Sequence, residues 1–389
     1  MNIDRSIVRA INIFIFIVAF TLHAYTDAVY ESKKIDAGFL GSLKYVVIIM
    51  GIAFCILQIR KKKNGLLYLY EIKKIGTVII VFLFISLLLS LFQGMFTSQT
   101  ISELVKMLIP LFYVFCIMNT FEYKDIYYCM VTTLVVSIIG YILEIGIDTF
   151  SIANFTSISF STSYSPFESH YAAGTSIALC AFFMYYRKSK ILMLVSLLFA
   201  IITFKRLAII FAIFLFIYSL FFETDKFVSK RYINFLKLVF IVGTIVYYFL
   251  LTPSFSNVFY NIFSVDATSL TMGRSYFLSN LLNSSYSSFG FGSSTVFMGR
   301  SLEMDLIKIL LELSIVGLVF FVWNYYDLAR KHLYGSIFMT FSFLNMLTSH
   351  SLTNSFYWIL IMLILGCILY KREENALYLS NKTSEEKMD

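Results

Sequence analysis

Along this chain, long apolar runs alternate with short charged interruptions. A helix needs about 20 apolar residues to cross the hydrocarbon core of a bilayer. Twelve segments approach or meet that pattern, at 8–25, 42–59, 76–94, 102–120, 126–147, 170–186, 190–204, 207–222, 233–251, 305–324, 335–349 and 355–370. The seventh and eighth are short and can also be counted as one broken hairpin. The pattern predicts an all-α, polytopic integral membrane protein of about twelve transmembrane helices. Residues 1–370 form a single transmembrane domain, and 371–389 a disordered cytoplasmic tail.

The polar interruptions sort by charge. Lysine and arginine concentrate in cytoplasmic loops. With the N-terminus inside, the segments "RKKKNGLLYLYEIKK", "EYKD", "RKSK", "ETDKFVSKRY", "YYDLARKH" and the tail all fall on the cytoplasmic side, so both termini are expected there. Two segments on the opposite side are too long to be simple turns, and long loops on one face commonly carry function. One is 148–169. The other, 252–304, lies between the ninth and tenth spans and contains "RSYFLSNLL", which reads as a short amphipathic helix, and "SSYSSFGFGSS", which reads as a glycine-hinged turn.

Composition agrees with a lipid partner. The chain is 59% hydrophobic and 14% charged, with three prolines and a mean hydropathy of +0.80. Its net charge of +8 sits in short clusters between apolar runs, the signature of positive-inside loops, and points away from nucleic acid. Cys55, Cys116, Cys129, Cys180 and Cys367 all lie in apolar segments and read as small buried hydrophobes. Arg5 and Arg9 before "AINIFIFIVAF" imitate a signal peptide, but no small-x-small cleavage site follows, so a retained first span is expected.

Against the positive-inside trend, "IITFKRLAIIFAIF" places Lys205 and Arg206 at the outer tip of a hairpin. They read either as a solvated tip that snorkels to lipid phosphate or as a site for a phosphate-bearing substrate. Arg274 and Arg300 lie in the large outer loop. Glu168 and His170 open the sixth span, and Glu303 and Asp305 open the tenth. Asp305, Lys308 and Glu312 share one helix face, so Lys308 is expected to pair with Asp305 or Glu312. Inside the spans little charge is expected beyond Glu144, Lys106, Lys308 and Glu312. His170 and His350 stand alone, and lone histidines are more often packing residues than catalysts. No cluster has metal-ligand spacing, no nucleophile elbow or nucleotide motif occurs, and "GFG" at 290–292 is too short to carry meaning by itself. Neither metal nor cofactor is expected.

Taken together these segments resemble the bacterial O-antigen polymerases and ligases of the Wzy/WaaL type. "TFKRLAIIFAIF" is similar to that family's arginine-led apolar helix, and "MGRSYFLSNLLNSSYSSFGFGSS" to its large extracytoplasmic loop. "EMDLIKILLELSIVGLVFF" is similar to the following span, with Glu312 and Gly317 in register and Ser314 in place of a glycine. "FESHYAAG" is similar to its acidic segment at an earlier span. The likeness covers roughly residues 160–325.

The resemblance implies a GT-C-like, inverting membrane glycosyltransferase of the bacterial inner membrane. It would transfer a glycan from undecaprenyl diphosphate to another lipid-linked repeat unit, without a metal. It further implies that Arg206 and Arg274, with Lys205 and Arg300 as lesser contributors, hold the diphosphate. Glu303 and Asp305, then Glu168 and His170, are the candidates to activate the acceptor hydroxyl. A flippase and a chain-length regulator of the same pathway are the implied partners. Ligases of the family carry a His-Asn pair where this chain has Glu303 and Met304, which favours a polymerase. The alternatives are a ligase of the same family, or a flippase for the same lipid-linked substrates.

Overall fold

The structure, a computed structural model, describes residues 5–35, 37–60, 65–158, 165–252 and 271–370, with 255, 258, 260–262, 264 and 268 between the last two. The tail 371–389 lies outside the described residues, as do 159–164 of the first long loop and most of 253–270 of the second. The described residues are helices and connecting turns. Their only bridge outside helices joins Phe227 to His332.

Each of the twelve apolar segments lies in a helix. In chain order these are α1 (Arg5–Lys33), α2 (Phe39–Ile59), α3 (Leu69–Gln93), α4 (Ser98–Thr120), α5 (Tyr123–Ile145), α7 (His170–Tyr186), α8 (Lys190–Ile202), α9 (Arg206–Phe221), α10 (Lys230–Leu251), α13 (Asp305–Tyr326), α14 (Leu333–Thr348) and α15 (Ser355–Tyr370). Between them, α6 (Ile152–Thr156), α11 (Arg274–Leu282) and α12 (Ser293–Met298) occupy the two long loops. Among the described residues seven helices, α1 to α5, α10 and α13, are long and apolar enough to cross a membrane. The other five apolar helices have 13 to 17 residues. At 1.5 Å per residue, α8 is about 20 Å long against a hydrocarbon core of about 30 Å. Seven helices therefore meet the length of a full span, where the apolar pattern predicted about twelve.

Local chemistry explains where several helices begin. Ser169, Ser189 and Ser229 sit at the N-caps of α7, α8 and α10, and each side chain accepts a backbone N–H from the first turn. Glu122 and Asp125 form a reciprocal capping box at the start of α5.

The chain divides into two compact units. The first takes in Met1–Leu69, Ile109–Thr224 and Phe356–Asp389; the second, Tyr70–Leu108 and Asp225–Ser355. In the first, α1 packs against α2 and α5, and α7, α8 and α9 pack on one another. Gly140 lets α5 approach α1 closely, since a β-carbon there would stand 3.0 Å from that of Ala24. Arg9 ties the start of α1 to Glu122 and Asp125. At the opposite end of α1, Lys44 binds Asp27 at 2.9 Å and Thr26 at 3.0 Å.

In the second unit, the basic segments expected on one membrane face meet at one end. Asp327 receives Lys74 at 2.7 Å and also Lys237. Arg330 binds Glu71 at 2.8 Å, and the Val228 N–H donates to the Lys331 carbonyl at 2.7 Å. Lys237 is buried within a predicted span and Glu103 within another. The spans therefore hold more charge than the sequence reading allowed.

Candidate functional site

The described part of the large loop folds against α3, the first half of α4, α10 and α13, all in its own unit. The expected amphipathic helix is α11, which buries Ser275, Leu278 and Leu281. Leu278 packs with Leu251, Leu302, Met304 and Ile307. Beyond it, the G-F-G turn is a seat. Gly290 has φ 123°, and a β-carbon there would lie 2.8 Å from the Ser86 Cα, so only glycine lets the turn reach α3. The Phe291 N–H donates to Ser86 Oγ at 2.9 Å, and Ser90 Oγ donates to the Phe289 carbonyl at 2.9 Å.

Glu312 fastens the far side of this turn. Its carboxylate accepts the N–H groups of Gly292 and Ser294 at 2.7 and 2.9 Å and the Ser294 hydroxyl at 2.6 Å. One residue past Leu313 the helix breaks: Ser314 has φ 62° and ψ −176°. The Glu312 carbonyl, which would otherwise accept from residue 316, instead receives the Ser288 hydroxyl at 2.6 Å. Ser314 stands where the resemblance places a glycine, and its backbone adopts a conformation that glycine alone visits freely. Ser314→Gly should therefore stabilise the fold by about 1 kcal/mol, seen as a higher unfolding temperature in detergent; a lower one would show that no strain is stored there. Tyr286, in the same loop, lies 2.8 Å from Ser293 Oγ. Burial, and then the Glu312 charge, push its phenol up to about 12.

The expected pairing of Lys308 is corrected. Its ammonium bonds Glu103 of α4 at 2.5 Å and Thr295 at 3.2 Å, and the ion pair itself is away from bulk water at 0–2% exposure. The reason is that both carboxylates on its own helix are taken. Glu312 holds the loop, and Asp305 holds the turn after α14.

That turn gathers the rest of the site. Asp305 Oδ2 accepts the N–H groups of Ser351 and Leu352 at 2.5 and 2.6 Å. Asp305 Oδ1 lies 2.9 Å from His350 Nδ1, and His350 Nε2 lies 3.1 Å from Thr353 Oγ1. The Asp305 side chain is 1% exposed and that of His350 27%. Two residues before His350, the Thr348 carbonyl ends α14 and accepts Arg274 Nε and Nη2 at 3.0 and 2.7 Å. Nη1 of the same guanidinium donates to the Thr271 carbonyl at 3.0 Å. A cation at a helix C-terminus is favoured by the partial charge of its last carbonyls.

Arg274, Asp305 and His350 thus come together on residues 348–353. Arg300 is exposed and stacks over Phe277 at 3.5 Å, and Glu303 is exposed. Lys205, Arg206, Glu168 and His170 belong to the first unit. There, Lys205 is half-buried at the N-cap of α9, Arg206 is exposed on its first turn, and Glu168 is exposed just before α7. His170 opens α7. Sequence reasoning passed over Glu103 and set His350 aside. Their signals were a lone carboxylate in an apolar run and an imidazole in the polar turn "TSHSLTNS". Among the described residues no group of three or more His, Cys, Asp or Glu side chains is placed to hold a metal ion. In comparisons with known proteins, no family model, curated protein or solved structure matches this chain.

Proposed function

We propose that this protein is a membrane glycosyltransferase that polymerises repeat units carried on undecaprenyl diphosphate at the outer face of the bacterial inner membrane. The observation that carries this reading is the placement of Arg274 and the Asp305–His350 pair on one short turn. Arg274 offers a partly exposed cation for a leaving diphosphate, and His350 an imidazole able to take a proton. In the reaction, a hydroxyl of the acceptor repeat unit attacks the anomeric carbon of the donor chain with inversion. The bond from that carbon to the diphosphate oxygen breaks, and undecaprenyl diphosphate leaves with the electron pair. A fixed guanidinium stabilises the charge that develops on it. In this reading all twelve apolar helices are membrane-inserted, both termini are cytoplasmic and the 252–304 loop faces outward. The product is O-antigen, capsule or exopolysaccharide, and a flippase and a chain-length regulator work alongside.

A flippase for the same substrates is the second reading, favoured by the buried charges Glu103, Lys308 and Lys237. The test is purified protein in detergent with a synthetic undecaprenyl-diphosphate-linked repeat unit and EDTA. A ladder of lipid-linked oligomers is expected. Absence of a ladder, together with translocation of the same lipid across proteoliposomes, moves the assignment to the flippase. A ladder lost in EDTA and restored by magnesium would make the transfer metal-dependent.

A further inference from the structure

We infer that His350 is the general base that takes the proton of the acceptor hydroxyl, and that Asp305 positions it. The inference rests on the polymerase reading.

Of the two carboxylates that open α13, Glu303 is exposed and Asp305 is enclosed. Asp305 already accepts two backbone N–H groups through Oδ2 and faces the imidazole through Oδ1, and at 1% exposure its side chain is closed to a sugar hydroxyl. Its effect passes through His350. A carboxylate against Nδ1 requires the proton on that nitrogen and leaves the lone pair on Nε2. Nε2 in turn meets the Thr353 hydroxyl at 3.1 Å. With the lone pair on Nε2, that hydroxyl is the donor, and it occupies the place an acceptor hydroxyl would take. Carboxylate and imidazole therefore stand in the order that activates an oxygen nucleophile arriving at the position the Thr353 hydroxyl fills in its absence. The partial exposure of His350 gives a substrate access to the imidazole while its orienting carboxylate stays dry.

The proton and electron movements close. As the acceptor oxygen bonds the anomeric carbon, its proton passes to His350 Nε2. The electron pair of the breaking bond leaves with undecaprenyl diphosphate. The imidazolium formed lies against the Asp305 carboxylate and returns to neutral by losing the Nε2 proton to water.

The experiment uses the full chain in detergent with the lipid-linked repeat unit, measuring kcat and KM from ladder formation and unfolding temperature in parallel. His350→Ala should lower kcat at least about 10²-fold with little change in KM, and added imidazole should restore part of the loss. Asp305→Asn keeps an acceptor for Ser351 and Leu352 but presents an amide N–H to Nδ1, forcing the wrong tautomer, so it should lower kcat without raising KM. Thr353→Val should keep most of the activity. An active His350→Ala variant overturns the inference. So does one that is inactive, as stable as wild type and unresponsive to imidazole. Thr353→Val as inactive as His350→Ala overturns it differently, by making the Thr353 hydroxyl the nucleophile. No ladder from wild type overturns the polymerase reading and this inference with it, whereas a wild-type ladder with either of the first two results removes His350 alone.

Discussion

Arg274→Ala is expected to lower turnover about 10²–10³-fold, the range found when one preorganised donor to a developing negative charge is removed. Arg274→Lys should recover little. The guanidinium is held as a fork, with Nε and Nη2 on the Thr348 carbonyl and Nη1 on that of Thr271. An ammonium on a flexible stem cannot reproduce three directed contacts and still present charge to a substrate. Steady-state kinetics of the ladder, beside unfolding temperature, decide what the residue does. If Arg274 merely ties α11 to the end of α14, the alanine variant will melt lower and the folded fraction will turn over normally. If it stabilises the leaving diphosphate, kcat will fall in protein of near-native stability. Arg206→Ala is the complementary case. Arg206 is exposed in the first turn of α9, where the helix dipole disfavours a cation. Its removal should not lower the unfolding temperature, so any loss of turnover would assign it to substrate.

The helices and the loop helix were legible because both are written locally. Apolar length locates α1 to α5. The stretch "RSYFLSNLL", read as a short amphipathic helix, is α11. Span count was less legible, because apolarity has two meanings in such a chain. On α3, Phe84 and Phe92 are exposed, as lipid-facing residues are, whereas Ile177 to Met184 on α7 are buried throughout. A run that is apolar all round reads the same in both settings. Partners were the least legible feature. Helical periodicity shows that Asp305, Lys308 and Glu312 share a face, but it is silent on which distant segment lies opposite. Glu103 is 205 residues from Lys308, and His350 is 45 from Asp305. The short G-F-G turn acquires meaning only when Ser86 stands against Gly290 and the Glu312 carboxylate meets the Gly292 N–H.

Glu103→Ala should destabilise the protein by about 3–5 kcal/mol, because removing one partner of a buried ion pair leaves the other charge without compensation. The pair is at the severe end of that range. The exposure of Lys308 and Glu103 is 0–2%, so bulk water is no substitute for the lost carboxylate. Glu103→Gln keeps an acceptor for the ammonium and for Thr295, and should fall between alanine and wild type. Joint replacement by Glu103→Met and Lys308→Met should recover most of the loss, since two apolar side chains of similar volume carry no desolvation penalty. Thermal unfolding in detergent gives the order directly. A Glu103→Ala variant that melts with wild type would mean that Lys308 finds water or another carboxylate. The double variant also shows whether the pair does more than hold its helix. Lys308 lies on α13 between Asp305, which holds the turn of His350, and Glu312, which holds the loop. If the pair only keeps that helix in place, the double variant will be stable and will still build the ladder. If it folds and builds none, the buried charges themselves take part in handling the substrate.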